Sequence, residues 1–124
     1  MFFTIDSDSS EAIYMQLYNQ IIFCIATEQL KTGESLPSVR QLADEIGINM
    51  HTVNKTYALL REEGYIRIDR RRGAVIDVDM NHLMALQEIR KPLQLVIARA
   101  LCRNVSSEEI HLLIDNIIDE FGKD

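Results

Sequence analysis

From Ile13 onward the apolar positions recur at helical spacing, with Ile13, Leu17, Ile21, Cys24 and Ile25 sharing one face. The pattern predicts a helix that begins near Glu11, capped by Ser9 or Ser10, and buries that face up to about Leu30. The stretch KTGESLP breaks it: Gly33 permits a turn, and Pro37 pushes Leu36 out of helical conformation. Ser38 then caps a short helix over Val39–Ile46, whose Val39, Leu42, Ala43 and Ile46 form an inward stripe ended by Gly47. Asn49 caps another helix, running to about Glu63 and stopped by Gly64. Two short helices around a Gly-containing turn make a helix-turn-helix. YIRID and AVIDV follow at strand spacing with Arg70, Arg71, Arg72 and Gly73 between them, which predicts a hairpin with a basic tip.

Beyond the hairpin the period is helical again. Leu83, Leu86, Leu93, Val96, Ile97, Ala100 and Leu101 form an apolar stripe from about Asn81 through Arg103. Pro92 removes the bond its N–H would give Glu88, so a kink or break is expected near Arg90–Lys91. Ser106-Ser107-Glu108-Glu109 is a capping box that opens a last helix. Its Ile110, Leu113, Ile114, Ile117, Ile118 and Phe121 again fall on one face. The fold class expected is mainly α with a small β-hairpin wing: a winged helix-turn-helix over residues 1–79, then two dimerisation helices over 80–124. The apolar stripes of those last helices exceed what two helices can hide from water alone. Pairing with a second copy would cover them, each fully buried Leu or Ile contributing roughly 1.5–3 kcal/mol. Folding back on the winged helix is the other way to cover them.

Composition changes this picture only in detail. At 124 residues, 47% of them apolar, the chain can build one core but has no room for a reading domain plus a full-sized catalytic or effector domain. Met1 leads into a short polar stretch, FFTIDSDSS, with no basic n-region or long apolar run, so neither signal peptide nor membrane span is expected, and a cytoplasmic location is. Cys24 and Cys102 sit far apart within apolar helical patterns and are expected to be buried, reduced thiols.

Net charge is −6, unpromising for a protein that binds nucleic acid, but its distribution matters more. Residues 37–73 hold seven Lys or Arg against five Asp or Glu, a local +2, while both flanks are at −4. On the helix after Asn49, Val53, Thr56, Tyr57 and Leu60 share a face that should pack inward; His51, Asn54, Lys55 and Ala58 share the opposite one. That outer face is polar at its start and small at Ala58, as entry into a major groove requires. Asn54 can bond an adenine edge, His51 a guanine or a phosphate, Thr52 and Lys55 phosphates, and Met50 a thymine methyl. An ordinary solvated helix face has the same pattern. Arg40 and Ser38 can clamp the DNA backbone, and Arg40 can equally pair with Asp44 one turn on. The Arg70–Arg72 tip can reach a minor groove or phosphates. His51, His82 and His111 are isolated, and no metal-ligand spacing, phosphate-cradling loop or nucleophile elbow occurs, so no enzyme, metal or cofactor is expected.

The segments IYMQLYNQI, LPSVRQLADEIGINMHTVNKTYALLREEGYI and RRRGAVI, in that order, resemble the winged-helix domain of the GntR family of bacterial regulators over roughly residues 11–78. The short length and the TVNKTY and IYMQLYNQI segments are most similar to its YtrA-type branch. The resemblance implies that Ser38, Arg40, Asn49, Met50, His51, Thr52, Asn54, Lys55 and the wing Arg70–Gly73 contact operator DNA. It implies a homodimer formed by the two C-terminal helices, through Leu83, Leu86, Leu93, Val96, Ile97, Leu101, Ile110, Leu113, Ile114, Ile117, Ile118 and Phe121. It also implies repression, often of the regulator's own operon and of ABC transporter genes. Two-fold symmetry then predicts a palindromic operator with half-site centres about one helical turn apart, ~34 Å, or a multiple of it. A small-molecule effector between the C-terminal helices and the winged helix, or no effector at all, are both open. Arg71 stands where the family usually has a first wing glycine, Met50 where relatives often place a polar or basic base reader, and Pro92 inside the first dimerisation helix is atypical. The rival reading is a winged-helix adaptor that binds protein rather than DNA.

Overall fold

The computed structural model describes residues 3–122. Helix α1 spans Ile13–Ala26, α2 Val39–Ile46 and α3 Met50–Glu62; strands β1 (Ile66–Asp69) and β2 (Gly73–Ile76) form a hairpin; α4 (His82–Cys102) and α5 (Ser107–Glu120) follow. The chain divides into two compact units, Met1–Asp79 and Met80–Asp124.

The first unit is a packed winged helix. Leu17 and Ile21 of α1, Leu42 and Ala43 of α2, and Val53, Tyr57 and Leu60 of α3 meet Ile66, Ala74 and Ile76 of the hairpin. β1 and β2 pair antiparallel, Ile66 opposite Ile76 and Asp69 opposite Gly73. The free edge of β2 is covered by the segment before α2, where Ser35 bridges Val75 and the Leu36 N–H donates to the Ala74 carbonyl at 2.8 Å. Ser38 caps α2 as expected, accepting from the Gln41 N–H at 3.1 Å, and Gly47 ends it in the left-handed conformation.

Several expected boundaries move. α1 starts at Ile13, later than Glu11, with Ala12 as an N-cap that offers no side-chain bond; Ser9 instead closes a turn by accepting from the Glu11 N–H. It stops at Ala26, and Leu30 is buried in the turn beyond, its N–H on the Cys24 carbonyl. The described part of the polar stretch before α1 is tied to that helix. Phe3 is buried, the Gln16 amide bonds the backbone of Asp6 and Glu11, and the Gln20 amide bonds both the N–H and the carbonyl of Thr4. Two amide side chains one turn apart on α1 thus pin the segment to the helix.

Among the described residues of the second unit none is buried, so they form no core of their own. α4 runs from its Asn81 cap through Pro92 as one helix, so the break expected near Arg90–Lys91 does not occur. The Pro92 ring leaves only the Glu88 carbonyl without its helical partner, and on an exposed helix water can take that place. Ser106 and Glu109 form the expected reciprocal capping box of α5. No residue of α4 or α5 is buried. Both cysteines are free, but neither is buried as expected: Cys24 is half-buried and Cys102 exposed.

Candidate nucleic-acid interface

The helix-turn-helix is held by bonds that the side chains of its outer face leave alone. The Tyr57 hydroxyl donates to the Pro37 carbonyl at 2.7 Å, fixing the entry to α2 against α3. Burial pushes the Tyr57 phenol far above its ordinary range, and the nearby Glu45 charge adds to this, so it remains a neutral donor. Buried Thr56 donates from its Oγ1 to the Tyr14 carbonyl at 2.7 Å, and the Tyr18 hydroxyl donates to the Glu63 carboxylate. These bonds set the rotation of α3 about its own axis. Val53, Thr56, Tyr57 and Leu60 accordingly face inward, and His51, Asn54, Lys55 and Ala58 are exposed.

Not every expected contact residue is equally free. Asn49 Oδ1 accepts from the His51 N–H at 2.7 Å, so its carbonyl is committed to capping α3 while its amide N–H groups are not. Thr52 is half-buried and Met50 exposed. Lys55 lies with its Nζ 3.9 Å from the centroid of the Tyr14 ring. Arg40 is exposed, and among the described residues it forms no ion pair with Asp44.

The wing tip is shaped by Asp69. Its Oδ1 accepts from the N–H groups of Arg71 and Arg72 at 2.8 and 3.0 Å, and Gly73 takes a φ of +75°. This carboxylate clasp, together with the one glycine, closes the turn at Arg71, where the resemblance implies a glycine. The two backbone N–H groups, and after them the Arg67 guanidinium, hold the Asp69 carboxyl below its usual range. Gly73 opens β2 and so lies beyond the tip itself. Arg72 bends back to donate to the Gly33 carbonyl. Arg67 is paired with Asp69 and Asp77, each at 3.3 Å. Arg70 and Arg71 are therefore the wing side chains left without a partner among the described residues.

Between the start of α2, the outer face of α3 and the hairpin lies a groove of about 520 Å³. Ser38, Asn54, Ala58, Arg61, Ile68 and Gly73 are among the residues that line it. It brings three expected contact residues together: Ser38, Asn54 and Gly73. Lys55 does not line it and stands instead against α1. Arg61 is absent from the contact residues expected from the sequence, although it lies seven residues after Asn54 on the same outer stripe, a spacing that could have found it. Tyr14 and Asp69 carry no such local signal. Among the described residues, no group of three or more His, Cys, Asp or Glu could hold a metal ion. No described helix is long and apolar enough to cross a membrane.

A family model described as bacterial regulatory proteins, gntR family, matches residues 13–76. The HTH-type transcriptional repressor YtrA of Bacillus subtilis is 34% identical over 116 residues, covering 91% of this chain and 89% of that protein. The HTH-type transcriptional regulator YhcF of the same bacterium is 34% identical over 68 residues. That match covers 55% of this chain and 56% of YhcF, so it spans little more than half of that relative. Among solved structures, a transcriptional antiterminator from Listeria monocytogenes matches with a TM-score of 0.86 and 31% identity, over 98% of this chain and 92% of that one.

Proposed function

The chain belongs to the GntR family of bacterial regulatory proteins, and on that premise we propose that it is a homodimeric repressor that reads a palindromic operator. The observation that carries this reading is the outer face of α3, where His51, Asn54, Lys55 and Ala58 stand exposed beside the groove to the wing. Asn54 reads a base edge in the major groove, and His51 and Met50 contact bases beside it. Ser38, Arg40, Asn49, Thr52 and Lys55 hold phosphates. Arg70, Arg71 and the Gly73 backbone reach the adjacent minor groove, and Arg72 is drawn in if it leaves Gly33. Residues 1–79 are then the reading domain and 80–124 the dimerisation region.

Dimerisation has its own support. Leu83, Leu86, Leu93, Val96, Leu101, Leu113, Ile117 and Ile118 are exposed, and Ile97, Ile110, Ile114 and Phe121 only half-buried. Apolar side chains exposed in this number on two helices point to an interaction surface. A second copy carries the same face and closes it with two-fold symmetry, which places the two α3 helices on half-sites ~34 Å apart or a multiple of it. Regulation of its own operon and of transporter genes, and repression as in YtrA, complete the proposal.

Fluorescence anisotropy on a duplex from the gene's own upstream region tests the reading. Each phosphate neutralised contributes a log–log salt slope of about −0.9. Arg40→Ala should weaken binding to every sequence and lower the slope by about that amount. Asn54→Ala should mainly erode discrimination against a scrambled duplex, by roughly 1–3 kcal/mol. If the wild-type chain binds no duplex even in low salt, the repressor reading fails and the adaptor reading takes its place.

A further inference from the structure

We propose that Tyr14 is a positioning residue for DNA binding: its ring holds the Lys55 ammonium where a phosphate oxygen will be, without spending the lysine's charge. The inference rests on the reading of α3 as the DNA-facing helix and goes on to say how one of its cations is aimed.

A lysine on an exposed helix face has four rotatable carbon–carbon bonds and surrenders much of that freedom when it grips a phosphate. Lys55 has already surrendered part of it, because its Nζ sits 3.9 Å from the centroid of the Tyr14 ring. The pair is anchored at its base. Thr56, the next residue of α3, is fully buried and donates to the carbonyl of Tyr14 itself at 2.7 Å. The hydrogen bond and the cation–ring contact thus tie Tyr14 of α1 to two adjacent residues of α3, Thr56 and Lys55.

The choice of partner matters. Arg67 on the hairpin is held by two carboxylates, Asp69 and Asp77, and its charge is cancelled where it stands. An aromatic face attracts the ammonium through its quadrupole yet carries no net charge, so Lys55 keeps its full +1. Lys55 is exposed while Tyr14 is half-buried, which leaves the outward side of the ammonium open to an incoming phosphate. Preorganisation of this kind raises affinity by lowering the ordering cost of binding.

Three variants of the full-length protein, measured on the same duplexes across a salt series, test the proposal. Tyr14→Leu should weaken operator and scrambled duplex alike, about 2- to 5-fold, with the salt slope unchanged because Lys55 still makes its contact. Tyr14→Phe should bind like wild type. Lys55→Ala should lower the slope by about 0.9, and adding Tyr14→Leu to it should cost nothing further. Without any DNA, the ε-methylene protons of Lys55 should be shifted upfield by the ring current in wild type and in Tyr14→Phe, and not in Tyr14→Leu. The inference is overturned if Tyr14→Phe binds as weakly as Tyr14→Leu, if the Tyr14 and Lys55 effects simply add, or if the upfield shift is missing in the wild type. If Lys55→Ala leaves binding intact while Arg40→Ala weakens it, the inference fails and the repressor reading stands; if the wild type binds no DNA, both fall.

Discussion

The two units are made from similar amphipathic helices and treat their apolar stripes in opposite ways. In Met1–Asp79, the stripes of α1, α2 and α3 meet one another and the hairpin, so that Leu17, Ile21, Val53 and Leu60 lose all contact with solvent. In Met80–Asp124, α4 and α5 also carry apolar stripes, and nothing in them is buried. Leu83 and Leu113, for instance, remain 74% and 60% exposed. Hydrophobic periodicity therefore reports that a face will be covered but not by what. The first unit finds its cover within itself. The second is completed, in the proposal above, only by another copy, so its stability should depend on concentration while that of the first should not.

The largest effect that would sharpen this contrast lies in the first unit. Leu60→Ala empties a site with no solvent access and should cost roughly 2–5 kcal/mol, read from chemical denaturation. Leu113→Ala, the same change on the exposed face, should leave the unfolding of the winged helix unaltered. Next comes Ile117→Asp, which sets a carboxylate in the proposed interface. It should weaken self-association by about 100-fold or more, ~2.7 kcal/mol, seen as a shift toward monomer in sedimentation. A wild-type chain that sediments as a monomer at every concentration would remove the contrast altogether. Thr56→Val keeps the volume of a buried side chain but loses its bond to α1, for an expected cost of about 1 kcal/mol in denaturation.

The smallest effect compares one carboxylate in each unit. Asp69 is held below its usual range by the Arg71 and Arg72 N–H groups and then Arg67, and Glu109 by its backbone and side-chain bonds with Ser106. Because both are depressed in the folded state, what they contribute is fully present above their unfolded values of about 4. It is lost as the pH falls through the lower folded values. Both sites lie at the surface, so the change should be local: the Arg71, Arg72 and Ser106 amide resonances should move in acid below about pH 4. Asp69→Asn should abolish the first movement and leave the second.

Much of this architecture is legible in the sequence. Ser38, Gly47, Asn49 and the Ser106–Glu109 box mark helix ends through chemistry local to a few residues, and all act where expected. The inward set Val53, Thr56, Tyr57 and Leu60 follows from period alone. Local pattern misleads where a partner distant in the chain decides. The N-terminal segment reads only as a short polar stretch, because Gln16 and Gln20, which pin it, lie many residues away. Arg40 and Asp44 are correctly spaced for an ion pair they do not make, since exposed pairs of this kind contribute little. The wing arginines look equivalent in a row, yet Gly33, 39 residues before Arg72, engages one of them and leaves Arg70 and Arg71 free.

By itself the sequence determined the order of elements, which face of each helix is apolar, and the one segment with net positive charge, because each depends on composition and spacing along the chain. Tertiary structure alone decided which of those charges stay available: Arg67 is cancelled, Arg72 tied back and Lys55 braced on Tyr14 with its charge intact. Availability depends on what lies within a few ångströms in space, and those neighbours come from parts of the chain that no local pattern connects.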